Sequence, residues 1–188
     1  IMKHIPGHGS AVEDSHLGLP GVSKSLEELA TDFYPFMVNH NAPAAMTAHI
    51  VISAVDDQKP ITISKKGIDT LIRQEIGFDG LLISDAMEMD ALEGSIGQRT
   101  RKVLEAGCDL ALYCSGDINE LNDMAANCLP MNDKTAERLE KVYQVIAKPL
   151  SNEKYDYNEY LALTGTLKAY SKADDMTMVM ENMKEREK

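Results

Sequence analysis

Short apolar runs alternate with amphipathic stretches along the chain, and this alternation predicts the order of its strands and helices. Four apolar runs have strand length, and they cover residues 1–5, 44–51, 78–84 and 109–114. Continuously apolar rather than alternating runs are typical of parallel strands that are covered on both faces. The pattern therefore predicts an α/β fold with a parallel sheet, either a barrel or a doubly wound sheet.

Apolar residues at helical spacing fill the intervals between these runs. We expect helices over 23–37, 64–76, 96–106 and 115–147. Ser23 or Ser25 can cap the first helix, and Ser64 opens the second. The last helical region is divided at Leu129-Pro130, because proline does not continue a helix. A strand, a loop and a helix thus follow one another four times.

Charge and composition narrow the range of partners. The 188 residues include 19 Lys and Arg against 30 Asp and Glu, and the formal net charge is −11. This charge would repel a phosphate backbone and no basic cluster offsets it, so we expect no nucleic-acid partner. No apolar run approaches the roughly 20 residues of a membrane span, and the first residues lack a signal pattern. We therefore expect no membrane partner and a cytoplasmic location.

Cysteine usage agrees with a reducing compartment. Cys108, Cys114 and Cys128 are an odd number and lack the C-x-x-C spacing of zinc sites. We expect them to be reduced thiols that pack in the core.

The composition changes near residue 150. Residues 151–188 are polar, and they are rich in tyrosine and then in methionine and charge. We therefore predict two parts, a domain over 1–150 and a C-terminal extension over 151–188 that contains at least one helix. The whole chain is shorter than the ~250 residues of a typical (β/α)8 barrel.

The densest group of chemically useful side chains lies at 3–16, directly after the first strand. Three histidines, a lysine and an aspartate share this stretch with Gly7 and Gly9, which allow tight turns. Asp14 and His16 are two positions apart. An aspartate that accepts a hydrogen bond from one imidazole N–H makes the other nitrogen more basic. The spacing therefore predicts an Asp14–His16 dyad for general acid/base chemistry, although solvated loop residues are the alternative for an isolated Asp-x-His.

A metal site is the rival interpretation of the same stretch. His4, His8, Asp14 and His16 are all ligand types. However, no HExxH motif or fixed short histidine spacing occurs, and zinc sites usually have such spacing. We therefore expect no metal.

The second chemical signal is Asp85, which follows the apolar run 78–84 directly. Barrel enzymes place catalytic side chains at the carboxyl ends of their strands. A carboxylate there, together with an acid/base from another loop, suits glycoside cleavage. Glu88 and Asp90 follow closely, and we interpret them as rim or helix-start residues. A strand-end aspartate can also be a simple helix cap.

Together these motifs resemble those of the family 3 glycoside hydrolases, in their bacterial β-N-acetylhexosaminidase branch. The resemblance rests on Lys-His-Ile-Pro-Gly-His-Gly at 3–9, Asp-Ser-His at 14–16 and Ser-Asp at 84–85. It implies a (β/α)8 TIM-barrel type of fold, a retaining mechanism through a covalent glycosyl-enzyme, and no cofactor. It also implies removal of terminal N-acetylglucosamine from muropeptide-type sugars in peptidoglycan recycling.

The resemblance also implies roles for individual residues. Asp85 would be the nucleophile, and His16 would be the acid/base, supported by Asp14. Lys3 and His4 would bind hydroxyl groups of the sugar. Histidine suits the acid/base role because its ordinary pKa lies near neutrality.

The number of strand-helix units raises a question of assembly. The four units correspond to the C-terminal half of the family's barrel, and an unpaired half would expose strand edges. We therefore expect a homodimer, or pairing with an N-terminal half. The alternative to an enzyme is a catalytically incomplete half-barrel that acts as a sugar-binding or assembly module.

Overall fold

A computed structural model describes the chain over residues 1–11 and 18–147. All the strands and helices given below belong to the unit Ile1–Lys148. The predicted extension over 151–188 lies outside the described residues, and so do Asp14 and His16. The division of the chain at residue 150 stays a prediction.

Parallel strands form two sheets. The six strands of the described residues are β1 (Met2–Ile5), β2 (Gly21–Val22), β3 (Ala44–Thr47), β4 (Val51–Ile52), β5 (Leu81–Ala86) and β6 (Leu110–Leu112). The main sheet has the order β1-β3-β5-β6, and each of its neighbouring pairs is parallel. β2 and β4 pair with each other as a second, two-stranded parallel sheet.

The strand order distinguishes the two architectures that the sequence leaves open. Each strand of the main sheet lies beside the next one of that sheet in the chain. A doubly wound sheet reverses its strand order at a switch point, whereas a (β/α)8 barrel adds its strands in sequence. The described residues therefore have the strand order of a barrel, with four strands side by side.

Helices lie between the strands and after the last one. They are α1 (Ala30–Val38), a short 3-10 helix (Ile61–Ile63), a π-helix (Gly67–Glu75), α2 (Ile96–Ala106), α3 (Ile118–Asn127) and α4 (Asp133–Ile146). The region predicted over 115–147 is thus two helices, separated around Pro130 as expected.

Local signals set both ends of α2. The Ser95 side chain accepts a hydrogen bond from the backbone of Gln98, and the Gln98 side chain accepts one from the backbone of Ser95. Gly107 ends the helix with a φ of +116°, which glycine adopts without steric cost. A capping residue of this kind is worth about 1 kcal/mol. The helix predicted over 96–106 is confirmed.

Two other predicted helices are built differently. Ser25 and Glu28 form the expected cap, but turns continue to Leu29 and regular helix begins only at Ala30. The helix expected over 64–76 is mostly a π-helix, in which each amide reaches one residue further back than in an α-helix. It still buries an apolar face at helical spacing: Ile68, Leu71, Ile72 and Ile76.

Two strands have other bounds than the apolar runs predict. The run 78–84 becomes a strand only from Leu81, because Arg73 Nη1 donates to the carbonyls of Phe78 and Gly80 at 3.0 and 2.8 Å. Those carbonyls therefore bind a side chain instead of extending the sheet. The run 44–51 is divided between β3 and the start of β4, which pairs with β2 instead.

One apolar cluster holds these elements together. Its fully buried members include residues of β1, β5, the π-helix, α2 and the segment before β5: Ile5, Leu82, Ile72, Val103 and Phe78. Burying each such side chain contributes roughly 1.5–3 kcal/mol. Among residues 1–11 and 18–147, no helix combines the length and the apolar composition that crossing a bilayer requires.

Candidate active site

The carboxyl ends of the parallel strands bring two of the predicted site residues together. His4 lies near the end of β1, and Asp85 lies near the end of β5. β3 separates these strands, yet His4 Nε2 lies 3.6 Å from Asp85 Oδ2. The two side chains are 34% and 17% exposed, so solvent reaches both. This pair is the centre of the candidate site.

Irregular strand pairing accompanies both residues. The register of β1 against β3 shifts between Lys3 and Ile5, at His4. The register of β5 against β6 shifts between Ile83 and Ala86, a stretch that includes Asp85. Such shifts re-aim side chains, and they are frequent beside active sites.

The two carboxylate oxygens of Asp85 have different surroundings. Oδ1 accepts a hydrogen bond from the backbone N–H of Ala86 at 2.8 Å, which fixes the plane of the group. Oδ2 faces His4. An ionised carboxylate held in this way can attack an electrophilic carbon or stabilise a developing positive charge. Asp85 thus lies within the last two residues of β5, whereas the apolar run predicts it just after a strand.

Other predicted residues lie at varying distances from this pair. Lys3 precedes His4 in β1 and is exposed. His8 is half-buried in the glycine-containing turn that follows β1. Asp14 and His16 lie outside the described residues, so their roles stay predictions.

The glycine-containing turn packs closely against α1. Gly7 has a φ of +130°, and a Cβ built there would lie 2.8 Å from the carbonyl oxygen of Asp32. A Cβ at Gly9 would lie 3.0 Å from the Asp32 carboxylate. Lys24 Nζ also donates to Ser10 Oγ at 3.0 Å, which links the two sides of the segment 12–17. Gly7 is therefore required both by its backbone conformation and by its contact with the helix, whereas a side chain at Gly9 would require the Asp32 carboxylate to shift slightly.

His49 is a residue of the site that the sequence did not reveal. It is fully buried, and its Nε2 lies 3.0 Å from the carbonyl oxygen of Ala86, next to Asp85. Burial lowers the pKa of His49, against the opposing effects of the Ala86 carbonyl and the charge of Asp85. The signal that could have found it is a histidine inside the apolar run 44–51, since a buried histidine requires polar partners.

The loop after Asp85 is held by two further polar residues. Arg99 Nη1, on α2, donates to the carbonyls of Met87 and Met89 at 2.8 and 3.1 Å. Glu88 Oε1 accepts from the backbone N–H of Cys114 at 2.9 Å, which joins this loop to the chain after β6. Glu88 is therefore a bridge between two loops, which refines the interpretation of it as a rim residue.

Metal ligation is the rival role for the same side chains. Within residues 1–11 and 18–147, no three His, Cys, Asp or Glu side chains are grouped so as to hold a metal ion. Two of the four ligand types in the rival interpretation, Asp14 and His16, lie outside this part of the chain.

Comparison with known proteins gives the family context. The sequence profile of the glycosyl hydrolase family 3 N-terminal domain matches residues 1–145. A protein named Beta-hexosaminidase from Thiobacillus denitrificans (strain ATCC 25259 / T1) is 41% identical over 118 residues, which are 60% of this chain and 33% of that relative. The chain spans about a third of the length of the curated relatives it matches.

Solved structures agree with this match. A glycoside hydrolase family 3 beta-N-acetylglucosaminidase from Paenibacillus sp. str. FPU-7 superposes with a TM-score of 0.73 at 30% identity, over 86% of this chain and 35% of its own. NagZ from Neisseria gonorrhoeae superposes with a TM-score of 0.64 at 33% identity, over 79% and 46%. These neighbours confirm the predicted (β/α)8-barrel fold class. With a profile match over residues 1–145 and relatives of this kind, the chain belongs to glycosyl hydrolase family 3, through the family's N-terminal domain.

Proposed function

We propose that the chain carries part of a retaining glycosidase site, with Asp85 as its nucleophile. The observation that carries this proposal is the pair formed by His4 and Asp85 at the carboxyl ends of β1 and β5. Since the chain covers about a third of its curated relatives, the activity of a whole protein is proposed here for this chain.

In the first step, Asp85 Oδ2 attacks the anomeric carbon of the sugar. The bond between that carbon and the leaving oxygen breaks, and the acid/base gives its proton to this oxygen. A glycosyl ester on Asp85 results. The hydrogen bond from Ala86 N–H to Oδ1 leaves Oδ2 as the attacking atom.

In the second step, water replaces Asp85 at the anomeric carbon. The same acid/base removes a proton from the water, and the ester bond breaks to release the sugar and the Asp85 carboxylate. We propose His16 for this role, with Asp14 accepting a hydrogen bond from the other imidazole nitrogen. This assignment rests on the Asp-x-His spacing and the family resemblance.

His4 and Lys3 are proposed as donors to the hydroxyl groups of the sugar. His4 lies beside Asp85 and is partly exposed, as a group that contacts both substrate and nucleophile must be. Hydrogen bonds to hydroxyls near the reacting carbon strengthen in the transition state.

The substrate proposed is a saccharide with terminal β-linked N-acetylglucosamine. The names of the relatives, Beta-hexosaminidase and beta-N-acetylglucosaminidase, support this class. Muropeptide-type sugars, a part in peptidoglycan recycling and a cytoplasmic location remain finer parts of this proposal. The same holds for the expected partner, a second copy or an N-terminal half-barrel, which would adjoin β1 or β6 at the edges of the main sheet.

Covalent trapping tests the proposal directly. The full chain is incubated with a 2-acetamido aryl β-glycoside, and its turnover is measured. In a second sample it is incubated with a fluorinated analogue that is released slowly, and the intact mass of the protein is measured. We expect one glycosyl group on the peptide that contains Asp85. Asp85→Asn should abolish trapping and lower kcat by roughly 10⁴-fold or more, because the nucleophile is removed.

Asp90→Asn is the matched control, since Asp90 is an exposed carboxylate in the same loop. It should be trapped like the unchanged chain. Full turnover by Asp85→Asn would contradict the proposal. Binding of N-acetylglucosamine in calorimetry without any hydrolysis or trapping would instead support the sugar-binding alternative.

A further inference from the structure

A chain of buried polar side chains lies behind Asp85. Thr47, His49 and Thr62 are all fully buried. Thr47 Oγ1 lies 2.9 Å from Thr62 Oγ1, and Thr62 Oγ1 lies 2.8 Å from His49 Nδ1. The other ring nitrogen, Nε2, lies 3.0 Å from the carbonyl oxygen of Ala86. These hydrogen bonds therefore connect the end of β3 to the residue after Asp85.

The position of this series of hydrogen-bonded side chains follows from the way β3 and β5 diverge. Their pairing ends at Met46 and Ile83, so the last residues of β5 have no partner from β3. On the opposite side, β6 supplies its own bonds, including Met87 N–H to the Leu112 carbonyl at 2.9 Å. β3 supplies no donor to the Ala86 carbonyl, which accepts a long hydrogen bond from the Met89 N–H at 3.4 Å. His49, just beyond β3, supplies a shorter one, with Nε2 at 3.0 Å.

The surroundings of the ring assign its proton. A carbonyl oxygen can only accept, so the nitrogen beside the Ala86 carbonyl, Nε2, carries hydrogen. Burial lowers the pKa of His49, which favours the neutral ring. Nδ1 lies 2.8 Å from Thr62 Oγ1, but the single proton of that hydroxyl is also within reach of the Ala48 carbonyl oxygen at 2.9 Å, so these contacts assign hydrogen to Nε2 alone. The charged or titratable groups that face the ring are Asp85, Arg99 and His4.

We propose that His49 is a positioning residue for Asp85: through Nε2–H it holds Ala86, whose own N–H orients the Asp85 carboxylate. The contact passes through one residue, because the Ala86 carbonyl accepts from His49 while the Ala86 N–H donates to Asp85 Oδ1 at 2.8 Å. The effect of this contact on catalysis rests on the proposed function. The contact itself is a property of the folded chain and is independent of that function.

Two substitutions distinguish the effect of the His49 hydrogen bond from the effect of its side-chain packing. His49→Leu keeps a buried apolar side chain of similar size but removes the donor. His49→Gln keeps an N–H that can reach the Ala86 carbonyl. In an active chain we expect His49→Leu to lower kcat by about 100-fold, as a small misplacement of the nucleophile does. KM should stay nearly unchanged, and His49→Gln should recover most of the loss.

Measurements that need no turnover make the proposal independent of the glycosidase activity. Nitrogen NMR of the unchanged chain should show the His49 ring protonated at Nε2. Amide hydrogen exchange at Ala86 and Met87 should become about tenfold faster in His49→Leu, because one hydrogen bond that holds this segment is lost. His49→Gln should keep slow exchange.

Thr100→Val and Thr62→Val complete the test. Thr100 is also fully buried, but its hydroxyl bonds to Ile96 within α2, so its removal controls for general destabilisation. Thr62→Val removes the partner of Nδ1, and we expect a smaller increase in exchange at Ala86 than in His49→Leu. This variant also serves if His49→Leu does not fold.

The outcomes distinguish the two proposals. An inactive chain with the expected tautomer and exchange changes would contradict the proposed function and leave the positioning role supported. An Nε2 without a proton would overturn the positioning role. Slow amide exchange at Ala86 and Met87 in both His49→Leu and Thr62→Val would overturn it too. An active chain whose kcat is unchanged by His49→Leu would overturn it as well.

Discussion

The negative charge around Asp85 acts on a neighbouring thiol. Of the three cysteines expected in the core, only Cys108 is buried, whereas Cys114 and Cys128 are exposed. The pKa of the Cys114 thiol is raised, first by partial burial of the sulfur and then by the charges of Glu88 and Asp85. A thiolate forms less readily beside carboxylates, and the thiolate is the reactive species. The reactivity of Cys114 therefore measures the charge at the candidate site.

Glu88→Gln should make Cys114 react faster with iodoacetamide at pH 8. Removing a nearby negative charge lowers the pKa of the thiol, and we expect roughly a 2- to 5-fold faster reaction. Peptide mapping by mass spectrometry gives the rate at each cysteine. Cys128, which is also exposed, is the control within the same chain, and its rate should not change. An equal rate at Cys114 in both proteins would contradict the assigned charge.

Individual site residues were predictable to the extent that their signal is local. Asp85 and His4 could be found because each is a polar residue at the end of an apolar run, within a recognisable motif. His49 stands out only as a histidine in an apolar run, and its partners could not be predicted, since Thr62 and Ala86 are 13 and 37 positions away in the chain. Only the folded sheet brings these groups together.

Asp109 joins several elements at the other end of the strands. Its buried carboxylate accepts from Arg73 on the π-helix at 3.1 Å, from Arg138 on α4 at 3.1 Å and from the backbone of Leu82 in β5 at 2.8 Å. The Thr135 hydroxyl donates to it as well, at 2.7 Å. One side chain just before β6 thus holds two helices and a strand in place.

Asp109→Ala should be strongly destabilising. It leaves two largely buried arginines without their shared carboxylate, and breaking such a group costs about 3–5 kcal/mol. Urea unfolding followed by circular dichroism gives the free energy of unfolding. Glu105→Ala, which breaks an exposed pair with Arg101, should cost at most about 0.5 kcal/mol. Similar losses in the two variants would contradict the central position of Asp109.

Helix ends were predictable wherever a neighbouring residue sets them. Ser95, Gly107 and Pro130 are signals of this kind, and the bounds of α2 and the division between α3 and α4 agree with them. The start of β5 was not predictable. It depends on Arg73, whose bonds to nearby carbonyls are a choice of side-chain conformation that hydrophobic patterning does not contain.

The stability of this acidic chain depends on which of its carboxylates form ion pairs. Asp79 lies between Arg138 Nη2, at 2.5 Å, and Lys134 Nζ, at 3.1 Å. The hydrogen bond from Arg138 lowers the pKa of Asp79 to about 2. Because the folded value lies below the ordinary one, the contact stabilises the fold above about pH 4, and this contribution is lost as the pH falls toward 2.

Asp79→Asn should therefore lower stability at pH 7 and make no difference near pH 2. Urea midpoints of both proteins at several pH values test this, and the gap between them should close between about pH 4 and pH 2. Asp69→Asn, in an exposed pair with Lys65, is the control, and its effect should be small throughout. A gap for Asp79→Asn that is constant over the whole range would refute the assignment.

The in-order arrangement of the main sheet has a consequence for how the chain folds during synthesis. β1 pairs with β3, β3 pairs with β5, and β5 pairs with β6. Each strand of the main sheet therefore pairs with the strand of that sheet that precedes it in the chain. Pairing between segments that are near in sequence closes shorter loops and is faster than pairing between distant ones. A ribosome that releases this chain gradually can therefore add each strand to an edge that has already formed.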